Sequence, residues 1–578
     1  MARTPATRMM KSVRPVVLGT LICAAFAPAA DFAQAETWHV RPDGGSLEQC
    51  DGLTDQAYAG KGSGQKCAWQ HPFIALPPGG KPRISGGDTL VIGQGQYRMG
   101  IGAPETGNCH PAYSWDCHMP PLPGGPDIEN PTRIVGAGYD SGCAAPPVLW
   151  GTERAALILN LQQTRHVQIA CLDITDRSGC IELHCHAGNC AGEVLACPRE
   201  QPPFGNWASN GIFAADADHV ALSDIHIHGL AGRGIQAGRI SDWRLERVQI
   251  LANGWAGWDG DIGTDSSNHG RLEFEDVEIA HNGCAETWPG LKIGGCWAQG
   301  AGGYGDGLGT AETGGEWIFE RAHIHHNTSD GLDLIYLDET ASVVVHASLF
   351  EGNAGNQIKS AVSTLVSNSI VIANCAYFSA QTNFADWDHC RAAGDAIFLG
   401  LDPGVESRLI NNSITGEGNC LVSSDGDRGG RILLANNLFV GQPSHSRDRP
   451  SCHFYSPQKN IDITWRANLV VNTHRGICAP DNLCPRSAGI RSTDVDNFDP
   501  TPLAGSPLIG AASVGDRLPG DFRGLPRPAG SPGTIGAIEA TDSIEPVEPV
   551  GIGSRFRDRT RPHESGAIPD SDTGQPPP

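Results

Sequence analysis

The sequence predicts an all-β chain wound into a right-handed parallel β-helix. Three observations carry the prediction. Glycine is abundant, 74 of 578 residues, and no long helical periodicity runs through the chain. A short motif recurs, in which a polar residue and usually Gly precede Ile or Leu: NGIF at Asn210, RGIQ at Arg233, DGLG at Asp306, DGLD at Asp330, NQIK at Asn356, DAIF at Asp395, NCLV at Asn419 and RGIC at Arg475. A second motif follows about one strand later, as DIHI, RVQI, DVEI, RAHI, HASLF, NSI, NNLF and ANLV. Its apolar anchors Ile227, Ile250, Ile279, Ile324, Leu349 and Ile370 are separated by 23, 29, 45, 25 and 21 residues. A period near 23 with two or more short strands per turn suits a solenoid whose coils stack roughly 4.8 Å apart. The anchors are expected to point inward, and the Gly of the first motif to permit the bend at each corner.

The first 35 residues read as a secretory signal. Arg3, Arg8, Lys11 and Arg14 precede an apolar run, and Ala33-Gln34-Ala35 offers a small-x-small cleavage site. That run is too short for a membrane span, and no later segment is long and apolar enough for one. Secretion to the periplasm or the cell exterior is expected. Removal of the signal takes away four basic groups and Asp31, moving the formal charge from −23 to −26. Such an acidic surface argues against nucleic acid and anionic membranes as partners. Eighteen of the 19 cysteines remain, an even number suited to disulfides in an exported chain. Cys180, Cys185, Cys190 and Cys197 crowd one stretch with His184 and His186 beside them. Spacing alone does not pair them, and zinc is the alternative use.

Residues 36–540 are expected to form one β-helix domain, with an entry segment (TWHVRPDGG, GGDTLVIGQGQYR) and a closing segment (PLAGSPLIGAA, GDFRGLPRP, GTIGAIEA). The step of 45 marks a loop of about 20 extra residues or an extra coil; the stretch HNGCAETWPGLKIGGCWAQGAGGYGDG reads as a Gly/Trp-rich loop that Cys284 and Cys296 could clip. Residues 541–578 are rich in Pro, Asp and Glu and poor in large apolar residues, the composition of a disordered tail. A monomer is expected.

Stacking brings distant acids together. Asp306, Asp330 and Asn356 share one column; Gly309, Asp333 and Lys359 share the column three places on. The separations agree: 24 from Asp306 to Asp330, and 26 both from Asp330 to Asn356 and from Asp333 to Lys359. With Leu332 and Leu334 inward, Asp333 faces out, as does Lys359 beside inward Ile358. DGDIG around Asp259 and Asp261 is the preceding copy. Three gathered carboxylates either raise a pKa or bind a cation, and hard oxygen donors in an exported chain favour Ca²⁺. Stacked Asn and Asp at coil corners also serve purely to satisfy backbone groups, and Asp333–Lys359 could be a plain ion pair. Against that stands the rarity of lysine, at positions 61, 66, 81, 292, 359 and 459 only in the mature chain.

A cation beside an outward lysine suits β-elimination on a uronic-acid polymer. The cation neutralises the substrate carboxylate and acidifies the adjacent proton. Lys359, made partly neutral by that cation, removes the proton. The cation, Ca²⁺, also bridges an acidic protein and an acidic polymer. GDGLG at Asp306, NTSDGLDLIY from Asn327 and NQIKS at Lys359 resemble the pattern of family-nine polysaccharide lyases, over about 55 residues. The resemblance implies a pectate-lyase-like solenoid, Ca²⁺ held by Asp306, Asp330 and Asp333, and Lys359 as the base. Ser329 departs from it, standing where the family carries an acid. NQIKS is also similar to the base-bearing segment of chondroitinase-B-like and alginate lyases, so the polymer stays open.

Two other classes share the fold. A polygalacturonase-like glycoside hydrolase would need an acid–base carboxyl pair; its Gly-Asp-Asp and Gly-His-Gly stretches are missing. A non-catalytic glycan-binding surface protein is the other. Smaller signals are HIHHN from His323, HIHG from His226 and HCH from His184, which offer metal ligands or solvated histidines. Trp255, Trp258, Trp297 and Tyr304 offer sugar platforms or mere cover. Arg321 and Arg391 could grip a carboxylate.

Overall fold

Alternation with a period of two puts every second side chain on the inside of a strand, and the strands of this chain obey it. In Leu332–Leu334 and Ile358–Ser360 the outer residues are buried and the middle one is half-buried. The structure, a computed structural model, describes residues 35–178, 207–287, 292–293, 305–380, 390, 394–425, 429–445, 449–457, 461–474 and 478–540. The signal segment short of Ala35, the Cys180–Cys197 stretch, Cys296, Trp297, Tyr304, Arg391, the RGIC copy short of Cys478 and the tail lie outside the described residues.

Among the described residues, 31 strands join one parallel sheet, wound as a right-handed β-helix. Each coil near the site contributes three strands. A first face stacks Ala256–Asp259, Leu308–Gly309, Leu332–Leu334 and Ile358–Ser360. A second stacks His269–Glu275, Glu316–Glu320 and Ser342–His346. A third stacks Gln249–Leu251, Glu278–Ala280, His323–His325 and Leu349–Glu351. Among the described residues, helix is confined to one α-helical turn, Pro72–Ala75, and short 3₁₀ segments. None of the described helices is long and apolar enough to cross a membrane.

The interior is a continuous apolar column. Trp243, Trp258, Phe274, Trp317 and Phe319 fill its middle, with Phe274 and Phe319 stacked at 4.7 Å. Trp258 is therefore core and offers no platform to a sugar. The anchor ladder holds through Ile227, Ile250, Ile279 and Ile324, but Ile324 pairs with Phe350. Leu349 and Ile370, expected inside, face the other way. They are buried on the outside, under a closing segment that brings Ile490, Phe498, Leu508, Phe522 and Ile535 against them. An outer apolar face mimics an inner one when another segment covers it.

The corners also differ from the expectation. The glycines of the first motif do not make the bend. A Cβ on Gly307 would lie 2.6 Å from the Gly331 carbonyl oxygen and 2.7 Å from Asn327 Nδ2; on Gly331 it would lie 2.4 Å from the Gln357 oxygen. They are glycine because the next coil approaches so closely. The turn between the second and third faces is made at the head of the second motif. Asp224, Arg247, Asp276, Arg321, Ala347, Asn368, Asn411, Asn436 and Ala467 all have φ between 48° and 59°. Asp and Asn tolerate this left-handed conformation better than other non-glycine residues. The arginines there bond to the acids of the coil before: Arg247 Nε to Asp224 Oδ1 at 2.6 Å and Arg321 Nε to Asp276 Oδ1 at 3.0 Å. Arg321 is thus a structural rung, its guanidinium bonded to Glu275, Asp276 and Glu320.

A ladder of buried amides lines the next corner. Asn253 donates to Asn282 at 3.0 Å, Asn282 to Asn327 at 2.9 Å, Asn327 to Asn353 at 2.8 Å and Asn353 to Gln357 at 2.8 Å. A second ladder runs through Asn412, Asn437, Asn468 and Asn482. Six disulfides among the described residues, Cys50–Cys67, Cys109–Cys117, Cys143–Cys171, Cys375–Cys390, Cys420–Cys452 and Cys478–Cys484, accord with folding in an oxidising compartment.

Asn327 carries four side-chain hydrogen bonds: two accepted from Asn282 and two donated, to Asn353 and the Ile279 carbonyl. Asn327→Ala is expected to cost about 3 kcal/mol or more, since several buried groups lose their partner. Urea unfolding of the variant against the exposed control Asn130→Ala measures it.

Candidate active site

The register sets the outward column of the first face. Asp259 pairs with Gly309, Gly309 with Asp333 and Asp333 with Lys359. Asp259 thus aligns with Asp333 rather than with Asp306. The three acids expected from the sequence do converge: Asp306, Asp330 and Asp333 each offer an oxygen, all within 4.8 Å of one another. Lys359 Nζ joins them, 3.1 Å from Asp330 Oδ2 and 3.0 Å from Asp333 Oδ2.

Two of the acids also do corner work. The Asp330 backbone N–H donates to Asp306 Oδ1 at 2.9 Å. Asp330 Oδ1 accepts from the Asn356 backbone at 2.6 Å and its amide at 3.0 Å. Asp333 bonds only locally, to the Ile335 backbone, and its Oδ1 is buried with no hydrogen-bond partner, as is Thr310 Oγ1 nearby. Ser329, in the place of an acid, hydrogen-bonds Asp306.

Burial and the charges of Asp333 and Asp330 push the Asp306 carboxyl up to about 8. Burial and Asp330 raise Asp333 as well, with Lys359 opposing. Burial alone would lower the Lys359 amine, but Asp330 and Asp333 overcome it and raise it above the ordinary lysine value. This corrects the expectation of a partly neutral lysine: beside two bare carboxylates it is a firmly held ammonium.

The cluster opens on a cleft of about 450 Å³ lined by Asp259, Asp261, Asp306, Glu312 and Asp333, with Trp255 and Tyr336 among its walls. Tyr336 is 56% exposed. The Arg233 guanidinium lies 4.6 Å over the Trp255 ring and bonds Asp259 at 2.7 Å, which holds both in place. Lys359 is not a wall of the cleft; it reaches it through Asp333. Sequence reading overlooked Tyr336, Glu312 and Arg233. Tyr336 stands three residues beyond Asp333, in a stretch whose apolar character masks an exposed ring.

No protein-family profile and no curated protein matches the chain. Several solved structures resemble it. An alginate lyase from Paenibacillus sp. strain FPU-7 shares 14% identity over 66% of this chain and 94% of that one, with a TM-score of 0.32. A rhamnogalacturonan lyase shares 11% over 80% and 92%, with a TM-score of 0.34. XylC in complex with xylose shares 10% over 87% and 98%, with a TM-score of 0.41.

Without divalent cations, Asp306 should impose a stability slope. Its folded pKa is raised from 3.8 to about 8. The folded state then binds the extra proton across that window, so stability is highest below it and is lost as pH rises through it. Unfolding free energy in chelator is expected to fall between those limits, and Asp306→Asn to flatten the fall. In the same buffer Lys359→Met should cost about 3–5 kcal/mol, because it strands two largely buried carboxylates. Adding Asp333→Asn should return part of that loss in a double-mutant cycle.

Proposed function

We propose that the chain cleaves an acidic, uronate-containing polysaccharide by β-elimination, with Lys359 as the base and Asp306, Asp330 and Asp333 holding Ca²⁺. The observation that carries the reading is one lysine bonded to two of three converging carboxylates at an acid-lined cleft. The donor set suits a hard cation: three carboxylates, one with an orphaned oxygen, and a burden of buried negative charge that a single ammonium does not cancel. With a hydroxyl at Ser329 in place of a fourth acid, affinity should be modest. When bound, the ion would supply positive charge to a substrate carboxylate and so acidify the neighbouring C–H.

The chain's own groups do the rest. Lys359 takes a proton only in a form in which Asp330 and Asp333 no longer hold it as ammonium, so the base is gated by its partners. Trp255 and Tyr336 give the cleft aromatic surface against which a sugar face can lie. Asp259, pinned by Arg233, and exposed Asp261 keep the cleft acidic, which disfavours a bare polyanion and requires a counter-cation at the contact. The carboxylate oxygens lie within 4.8 Å. A second reading, a non-catalytic glycan-binding solenoid, is favoured by the double ion pair of Lys359, which is also a plain inter-coil tie.

The test is the ultraviolet absorbance of an unsaturated uronide, followed over polygalacturonate, alginate and glycosaminoglycans. Turnover should vanish in EDTA and return with Ca²⁺. Lys359→Arg keeps the ion pairs but cannot serve as a base, and should lower turnover by at least about 100-fold. Equal rates for Lys359→Arg and wild type would remove the lysine from the mechanism. Retained glycan binding without turnover on any polymer would select the second reading.

A further inference from the structure

The third face carries a separate set of groups, unrelated to the carboxylate cleft. His325 ends the strand His323–His325, and His281 and His326 occupy equivalent left-handed corners one coil apart, with φ of 56° and 51°. Their rings stack with centroids 5.3 Å apart and 10° between planes, and His325 stands edge-on to both. One ring nitrogen from each of the three lies within 4.8 Å of the others. His325 Nδ1 and His326 Nδ1 are 2.7 Å apart.

The surroundings orient these nitrogens. His325 Nε2 is 3.2 Å from Glu278 Oε1, and a carboxylate only accepts, so Nε2 carries the proton and Nδ1 presents its lone pair to the cluster. A carboxylate behind a histidine in this way is the usual support of a metal-binding imidazole. The coil beyond leaves space: a Cβ on Gly352 would lie 2.5 Å from the His326 ring. Tyr377 covers that ring from the other side, 4.0 Å between centroids. The nearby Asp173, His226 and His228 differ, because His228 is already bonded to Asp173 and Glu286.

We infer that His281, His325 and His326 form a binding site for a borderline divalent metal, zinc by ligand type, with Glu278 as its positioning residue. Three imidazoles complete a tetrahedron with one water. At Zn–N bonds of about 2.0–2.1 Å the nitrogens sit about 3.3 Å apart, so the 2.7 Å pair would spread, giving up its mutual hydrogen bond, and the His281 nitrogen, within 4.8 Å, would draw in. The ion would tie two successive coils at the corner that leads, four residues on from His326, to Asp330.

The purified chain, stripped with chelator and dialysed against Zn²⁺, should retain one zinc per chain by elemental analysis. His281→Asn and His326→Asn, chosen because Asn tolerates the left-handed region, should abolish that equivalent. Glu278→Gln should weaken it by about 10- to 100-fold. Asp333→Asn should leave it unchanged. Co²⁺ bound to the wild type should show the strong visible bands of a four-coordinate nitrogen site, a readout that survives even if a histidine variant fails to fold. Absence of stoichiometric uptake, equal uptake in the histidine variants, or the weak spectrum of six-coordinate oxygen ligation would overturn the assignment.

Discussion

Backbone pairing between consecutive coils is the constraint on which everything else rests. Each coil hydrogen-bonds to the next in parallel, so the neighbours of a residue are the residues one turn away in sequence. The amide ladder and the glycines enforce this together. Asn327 spans the coils on either side of it, and Gly307 and Gly331 lack the Cβ that would push the next coil away. A shift of one residue would turn Asp333 and Lys359 inward and their leucine and isoleucine neighbours out. The site is a consequence of register before it is a matter of side chains.

Charge is managed differently at the two corners. At the head of the third face, acids and arginines alternate from coil to coil and cancel, as Asp224 with Arg247 and Asp276 with Arg321 do. At the first face no such alternation exists. Acids accumulate over successive coils from Asp259 to Asp333; Arg233 offsets Asp259, and Lys359 offsets Asp330 and Asp333. Corner ladders explain Asp306 and Asp330 as backbone partners. Asp333 takes part in no ladder between coils and bonds only the Ile335 backbone and Lys359; its unpartnered Oδ1 is where the arrangement departs from what stability alone would choose.

The third face shows how one strand type serves several ends. Its outward positions carry histidines and carboxylates in the middle of the solenoid and aliphatic residues, Leu349, Ile370, Leu438 and Leu469, where the closing segment folds back over them. The same column is polar where it meets small clusters and apolar where it meets a cap. Such outward apolar residues look like core residues in the sequence, which is why Leu349 and Ile370 were expected inside.

The sequence by itself determined the winding, the first-face register from Asp306 to Lys359 and the convergence of Asp306, Asp330, Asp333 and Lys359, because in a solenoid spatial neighbours follow from a short, countable period. It did not reveal that the bend lies at Asp276 and Arg321 rather than at the motif glycines. These left-handed corners hold Arg and Ala as well as the better-suited Asp and Asn, and so leave no single residue type to read. Nor did it show that Trp258 is core, that Tyr336 is exposed, or that Lys359 is an ammonium held by two acids. Those outcomes depend on distances and burial of a few ångströms, which the fold sets through side-chain packing across three faces. The joining of His281 to His325 and His326 belongs to the same class: the long insertion between them hides a single turn of the helix, and only the tertiary structure counts it as one.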